Sequence, residues 1–191
     1  TAEFIGAQFI NDNCESFGAR RLGQHTASYG RMATVSLFYS HQISAIEGGA
    51  VLTDDDECAY LCRLLRNHGW QRGDTFETQY DFRLMGYNLR LTEMHAAIAR
   101  EQLRKSDAFA DQRLTNLTAF KSMTRHLDVH WPRLEDGANP FGIAFALRDR
   151  ATRAKLAAAF KDAGIDSRPP VGGCITKHTY GQRWTAQETP R

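Results

Sequence analysis

Two short segments near the start of the chain carry the residues best suited to chemistry. Asp12 follows an apolar run that reads as a strand, and ligand-binding residues of open α/β sheets cluster at such strand ends. His41 lies in a polar turn five residues after Ser36, and an imidazole accepts and returns protons near neutral pH. These types suit proton transfer beside a bound ligand. The pattern alone leaves open a plain turn histidine, a turn or capping aspartate and a buried strand serine.

Strands and a helix must hold these residues in place, and the hydrophobic pattern predicts both. Strands are expected over residues 4–11, 32–38 and 50–53. The adjacent Gly48 and Gly49 suit a tight hairpin between the second and third of these strands. The acidic run that begins at Thr53 is typical of a helix start, and this helix is expected to end at Arg66.

The later part of the chain reads as a long helix followed by a smaller unit. The helix begins after Thr92 and is expected to break near residues 105–107 and to continue over 108–127. Beyond residue 128 the pattern changes to strand, helix and strand, which predicts a small α/β domain. The three elements are expected over residues 142–147, over 151–163 with Gly164 as the stop, and over 165–168.

Composition excludes several classes of protein. The chain has 191 residues and a formal net charge of +2, and 42% of its residues are hydrophobic, as in an ordinary soluble globular protein. Its basic residues are scattered, which argues against nucleic-acid binding. No apolar stretch approaches the roughly 18 residues of a membrane helix, and the start lacks the features of a secretion signal. Four cysteines without metal-site spacing predict free thiols in a reducing cytoplasm: Cys14, Cys58, Cys62 and Cys174.

The stretch from Ser36 to Ala50, SLFYSHQISAIEGGA, makes the sequence specific. It resembles the cofactor-lysine segment of the DegT/DnrJ/EryC1/StrS sugar aminotransferase family, in which a serine, a lysine five residues later and a Glu-Gly-Gly follow one another. Further segments resemble the family in the same order over residues 12–18, 65–69 and 86–93. The resemblance runs from about residue 10 to residue 178. It implies an α/β fold of the fold-type I PLP-dependent transferase kind. Residues 1–127 would be the C-terminal half of the cofactor-binding large domain, and 128–191 an incomplete small α/β domain.

The sequence departs from the aminotransferases at the cofactor-lysine position, which is His41. A histidine there marks the nucleotide-sugar 3-dehydratases of the family. The reading Ser40-His41-Gln42-Ile43 resembles the Ser-His-His-Ile of members that act on GDP-4-keto-6-deoxymannose. The loop over residues 168–177 resembles the same subset. Members that act on CDP-sugars hold an iron–sulfur cluster through grouped cysteines, but residues 69–73 contain none, so no cluster is expected.

The resemblance implies a reaction that depends on pyridoxal 5'-phosphate. An imidazole cannot form the imine that a lysine amine forms with this cofactor, which can therefore persist as pyridoxamine 5'-phosphate. Glutamate would supply the amino group, and the enzyme would remove the C3 hydroxyl of a 4-keto-6-deoxyhexose, with His41 as the base. Such a reaction serves deoxysugar and O-antigen biosynthesis.

The resemblance also implies roles for five further residues. Asp12 would pair with the pyridine nitrogen, Glu15 would lie near the cofactor ring oxygen, and Ser36 would bind the cofactor phosphate. Asn88 would reach the phosphate held by a neighbouring subunit, which implies a homodimer. Arg168 would meet an anion, either the glutamate carboxylate or the sugar diphosphate.

Two other functions stay open at this point. The family is about twice as long as this chain, so the chain alone should not hold a complete site. An aminotransferase would need another lysine to reach the cofactor, and no lysine occurs before Lys105. A non-catalytic remnant of the fold, which serves dimerisation or ligand sensing, is the third hypothesis.

Overall fold

The computed structural model describes residues 6–170 and 172–187, which divide into two compact units. The first unit comprises Thr1–Met123 and Arg133–Ile143. The second comprises Thr124–Pro132 and Ala144–Arg191. The chain therefore enters the second unit after its longest helix, returns to the first for residues 133–143 and ends in the second.

The first unit is built from short strands and two helices. Its strands are β1 Ile10–Asp12, β2 Arg20–Arg21, β3 Gln24–His25, β4 Met32–Ser36, β5 Gly49–Leu52, β6 Trp70–Gln71 and β7 Asp81–Phe82. Its helices are α1 Asp56–Arg66 and α2 Glu93–Met123. Strands β1, β4 and β5 form one sheet, with β1 parallel and β5 antiparallel to the central β4.

The sheet confirms the second and third predicted strands and shortens the first. Residues 6–9 carry no strand, since Gly6 takes a positive φ of 65° in a turn, while residues 4 and 5 lie outside the described part of the chain. The prediction of a tight hairpin at Gly48 and Gly49 is wrong. Strands β4 and β5 do pair, but Gly49 is already part of β5, and the reversal is made by residues 37–48.

The core of the first unit lies beneath the loop of residues 37–48, which reverses the chain between β4 and β5. Alternate residues of β4 are buried, among them Ala33 and Val35, as the two-residue period of a strand requires. Leu37, Ile43 and Ala45 form a buried cluster, and Phe17 and Ala99 pack against it. The loop between β4 and β5 is therefore a packed part of the core, which gives its side chains fixed positions.

Helix α1 confirms the predicted start and end. Asp55 caps its N-terminus by accepting a hydrogen bond from the Cys58 amide at 2.9 Å. This bond and the nearby Arg31 guanidinium lower the pKa of Asp55. Acids fill the first turn and arginines the last, so the side chains complement the helix dipole at both ends.

Helix α2 contradicts the predicted break near residues 105–107. It runs through 31 residues, and its sequence contains neither glycine nor proline. Ser106 donates its hydroxyl to the Leu103 carbonyl at 2.8 Å, and Glu101 pairs with Arg104 and Lys105. Polar side chains that bond within their own helix do not interrupt it.

The second unit contains a two-stranded sheet and two helices. Its elements are β8 Val129–His130, β9 Ala146–Leu147, α3 Arg150–Asp162 and α4 Thr179–Gln187. The helix predicted before Gly164 is confirmed, and Gly164 takes a φ of 72°. The predicted strand over 142–147 shrinks to β9, and residues 165–168 form none. A strand needs a hydrogen-bonded neighbour, and β9 finds one only over the length of β8. No helix in the described residues is long and apolar enough to cross a membrane.

Candidate functional site

Asp12 lies at the end of β1, beside Thr34 of the central strand. Its Oδ1 accepts hydrogen bonds from the Cys14 amide at 3.1 Å and from the Thr34 hydroxyl at 3.0 Å. Hydrogen bonds from the Cys14 thiol, the Cys14 amide and Thr34 hold the pKa of Asp12 below its ordinary value. Its Oδ2 takes no hydrogen bond within the described part of the chain. An exposed, ionised carboxylate with one free oxygen is suited to a cationic ligand group.

His41 lies in the reversal between β4 and β5, with its side chain only 16% exposed. Its amide donates to the Phe38 carbonyl at 2.9 Å, which fixes the turn. Its ring meets two aromatic rings edge to face, those of Phe38 at 5.5 Å and Phe141 at 5.3 Å between centroids. Nε2 lies 4.0 Å from the Glu15 carboxylate, whereas Nδ1 is buried and finds no partner among the described residues.

Glu15 and His41 are held together through the neighbouring Gln42. The buried Gln42 side chain donates from Nε2 to the Glu15 carbonyl at 2.6 Å. This bond ties the loop after β1 to the loop after β4. It therefore places the Glu15 carboxylate on the Nε2 side of the imidazole, a contact that the sequence did not reveal.

Ser36 ends β4, and its hydroxyl oxygen accepts a hydrogen bond from the Phe38 amide at 3.1 Å. Because Ser36 lies two residues after Thr34, the two hydroxyl side chains point to the same face of the strand. Thr34 in turn bonds Asp12. Asp12 and Ser36 thus lie at the C-terminal ends of the adjacent parallel strands β1 and β4, and His41 lies in the loop that follows β4.

Asn88 lies on a segment bound to the C-terminal end of α1. It forms an isolated bridge with Asn67, and the amides of Tyr87 and Leu89 donate to carbonyls in the last turn of the helix. Its side chain is exposed, and its Oδ1 accepts a hydrogen bond from Arg90 at 3.1 Å. The backbone of this segment is held by these hydrogen bonds, while the side-chain amide nitrogen of Asn88 stays accessible.

Gly69, three residues after the end of α1, allows the chain at Leu84 to pass close to it. It takes a φ of 77°, and a Cβ at this position would overlap the Leu84 carbonyl. We therefore expect Gly69→Ala to destabilise the fold by about 1–3 kcal/mol, since both the backbone conformation and the close approach exclude a side chain. The free energy of unfolding in urea measures this. Gly142→Ala, where an added Cβ meets nothing within 4 Å, is the control, and an equal loss in both variants would contradict the assignment.

Arg168 belongs to the second unit, in the exposed stretch that follows α3. The other five predicted site residues belong to the first unit. The neighbouring Val171, part of the loop that supported the resemblance, lies outside the described residues. Within the described residues, no cluster of three or more histidine, cysteine or acidic side chains suits a metal ion.

Phe141 is the site residue that sequence reasoning missed. It lies far along the chain, in the segment 133–143 that returns to the first unit. A buried Asn139 anchors that return by donating to the Phe17 carbonyl at 2.7 Å and accepting from Arg113 at 3.0 Å. A single sequence contains no signal for such a long-range contact.

The fold and this site define a class, the PLP-dependent aminotransferase fold. The solved structure of E. coli GDP-4-keto-6-deoxy-D-mannose-3-dehydratase with bound hydrated PLP superposes with a TM-score of 0.86 at 32% identity. The match covers 96% of this chain and 52% of that one. A structure of GDP-4-keto-6-deoxymannose-3-dehydratase with a trapped PLP–glutamate geminal diamine gives a TM-score of 0.82 at 30% identity, over 96% and 52%. These matches confirm the predicted fold class.

The profile of the DegT/DnrJ/EryC1/StrS aminotransferase family matches residues 1–190, and the chain belongs to this family. GDP-4-keto-6-deoxy-D-mannose 3-dehydratase of Yersinia pseudotuberculosis is 38% identical over 185 residues, which is 88% of this chain and 47% of the relative. The chain thus spans about half the length of the relatives it matches. The comparisons confirm the predicted family and the predicted resemblance to its GDP-4-keto-6-deoxymannose 3-dehydratases.

Proposed function

We propose that this chain forms part of a nucleotide-sugar 3-dehydratase that depends on pyridoxal phosphate and its amine form. Its substrate would be GDP-4-keto-6-deoxymannose, and its product would serve deoxysugar and O-antigen biosynthesis. The observation that carries the proposal is His41, held in the packed loop after β4 with its Nε2 4.0 Å from the Glu15 carboxylate. Relatives with 38% and 36% identity bear this enzyme's name.

The described residues fit the cofactor. Asp12 keeps an ionised carboxylate with a free Oδ2, which suits a protonated ring nitrogen. The hydroxyl of Ser36 has no acceptor among the described residues and can donate to a phosphate. The Glu15 carboxylate lies 4.0 Å from Nε2 of His41. When bound, the cofactor supplies the electron sink that lets a hydroxyl leave beside a ketone.

His41 would move the proton in this reaction. The imidazole would take up one proton during the reaction and return it to the departing C3 hydroxyl. The Glu15 carboxylate, 4.0 Å from Nε2, would stabilise the charged ring, and the Phe38 and Phe141 rings pack against it nearly at right angles. A lysine at the same place would offer a primary amine and favour amino transfer.

Further parts of the proposal concern partners and organisation. Glutamate would donate the amino group, and Arg168 would bind an anion, either this glutamate or the sugar diphosphate. The exposed amide of Asn88 would reach the cofactor phosphate of a second copy, so the protein would work as a homodimer, in the cytoplasm. We also propose that residues 1–127 form the C-terminal half of the large domain and that residues 128–191 form an incomplete small domain.

A direct test uses the full-length protein that contains this chain. It is loaded with pyridoxal phosphate, and one sample is reduced with borohydride while another receives glutamate and GDP-4-keto-6-deoxymannose. We expect no covalently bound cofactor after reduction, and we expect ammonia and a 3-deoxy sugar as products. A sample without glutamate is the control, because it should release no ammonia.

Each other outcome points to one of the competing functions. A lysine adduct after reduction together with an amino sugar would make the protein an aminotransferase. Cofactor binding without either product, with CDP- and dTDP-linked 4-keto sugars also inert, would favour a non-catalytic protein of this fold. Both outcomes contradict the dehydratase proposal.

A further inference from the structure

The two nitrogens of the His41 ring lie in different surroundings. Nδ1 is fully buried and has no hydrogen-bond partner within the described residues. Nε2 lies on the side of Glu15, 4.0 Å from a carboxylate oxygen. A nitrogen enclosed by protein cannot exchange its proton with a ligand, whereas the other nitrogen can.

Two aromatic rings pack against the imidazole of His41. Phe38 comes from the same turn, and Phe141 comes from the segment that Asn139 anchors. Both rings meet the imidazole nearly at right angles, with interplanar angles of 80° and 83°. These two contacts hold the imidazole in the orientation that encloses Nδ1 and leaves Nε2 on the side of Glu15.

Glu15 does not decide which nitrogen carries the hydrogen. At 4.0 Å its oxygen is beyond hydrogen-bond distance from Nε2, so it attracts a charged imidazolium without holding a hydrogen in place. Nε2 therefore stays free to accept a proton, and the resulting charge is stabilised on the side where it forms.

From these contacts we propose that Nε2 is the proton-transfer atom of His41, that Nδ1 keeps its hydrogen throughout, and that Phe141 is the positioning residue that maintains this tautomer. The base role rests on the proposed function, but the tautomer does not. In the cycle, Nε2 takes one proton from the reacting carbon, which gives the imidazolium, and passes the same proton to the departing C3 hydroxyl, which leaves as water. The ring thus returns to its starting state without any change at Nδ1.

The tautomer of His41 can be measured by NMR without any catalytic turnover. The cofactor-loaded full-length protein is labelled with ¹⁵N-histidine, and its ring nitrogens are recorded by long-range ¹H–¹⁵N correlation in the neutral state. His41→Gln removes one set of signals and so assigns them. We expect a pyrrole-type Nδ1 and a pyridine-type Nε2. A protonated Nε2 with a pyridine-type Nδ1 would overturn the proposal.

Phe141→Leu tests the positioning role. The expected result is a mixture of both tautomers and a kcat lower by roughly ten- to hundredfold with little change in KM, because the base is misplaced and substrate contacts are kept. Phe141→Tyr should restore both values. Phe145→Leu is the matched control, since Phe145 packs against Trp131 in the second unit.

The outcomes separate this inference from the proposed function. If the wild type shows the expected tautomer but no dehydratase activity, the proposed function is wrong and the tautomer assignment stands. An active wild type whose Phe141→Leu variant keeps its tautomer and its kcat would defeat the positioning role alone.

Discussion

Replacing His41 with glutamine is expected to lower the dehydratase kcat of the full-length protein by about 10²–10⁴-fold, the range for a lost general acid–base group. Glutamine is polar and of similar length, but it does not titrate near neutral pH. The turn should survive, because the bond from residue 41 to the Phe38 carbonyl uses the backbone amide. Ammonia release with saturating glutamate and GDP-4-keto-6-deoxymannose measures kcat.

Two controls make this result interpretable. His126→Gln changes an exposed histidine of the second unit and should leave kcat unaltered. The absorbance of the bound cofactor should be the same in His41→Gln and in the wild type, which shows that the site is still filled. If His41→Gln turns over within a few-fold of the wild type, His41 is not the base, and the proposed function loses its main support.

The sequence predicted features that depend on neighbours along the chain. The start of α1 was recognisable because its capping carboxylate and its first-turn acids follow one another directly. The relation between Ser36 and His41 was recognisable for the same reason, as was the Asp12 position at a strand end. These residues keep their places because β1 and β4 are adjacent and parallel, so their C-terminal ends meet at one edge of the sheet.

Features that depend on distant contacts escaped the sequence. The strand expected over residues 142–147 is limited by the length of its partner β8, which local pattern cannot show. The polar residues 105–107 looked like a break, but the side chains of Lys105 and Ser106 bond within α2. The contact between Phe141 and His41 depends on a chain return fixed by Asn139. Each of these outcomes was decided by tertiary structure and not by local propensity.

Asp12→Asn is expected to weaken binding of the cofactor roughly ten- to hundredfold, the contribution of a hydrogen bond to a charged group. Asparagine can keep the two bonds from Cys14 and Thr34, because both are made to the single oxygen Oδ1. Only Oδ2 changes, from an acceptor to an NH₂ donor that cannot pair with a protonated ring nitrogen. Cofactor titration followed by absorbance measures the affinity, and kcat should fall with it.

Thr34→Val distinguishes the effect of the Asp12 charge from the effect of the local structure that holds its side chain in place. It removes one of the hydrogen bonds that lower the pKa of Asp12, so that pKa should rise towards its ordinary value. A carboxylate with a lowered pKa is ionised above it and becomes neutral as the pH falls through it. Thr34→Val should therefore bind the cofactor normally at neutral pH and lose affinity at a higher pH than the wild type on acidification. Equal affinity losses in Thr34→Val and Asp12→Asn at neutral pH would show that local structure, and not the Oδ2 charge, holds the cofactor.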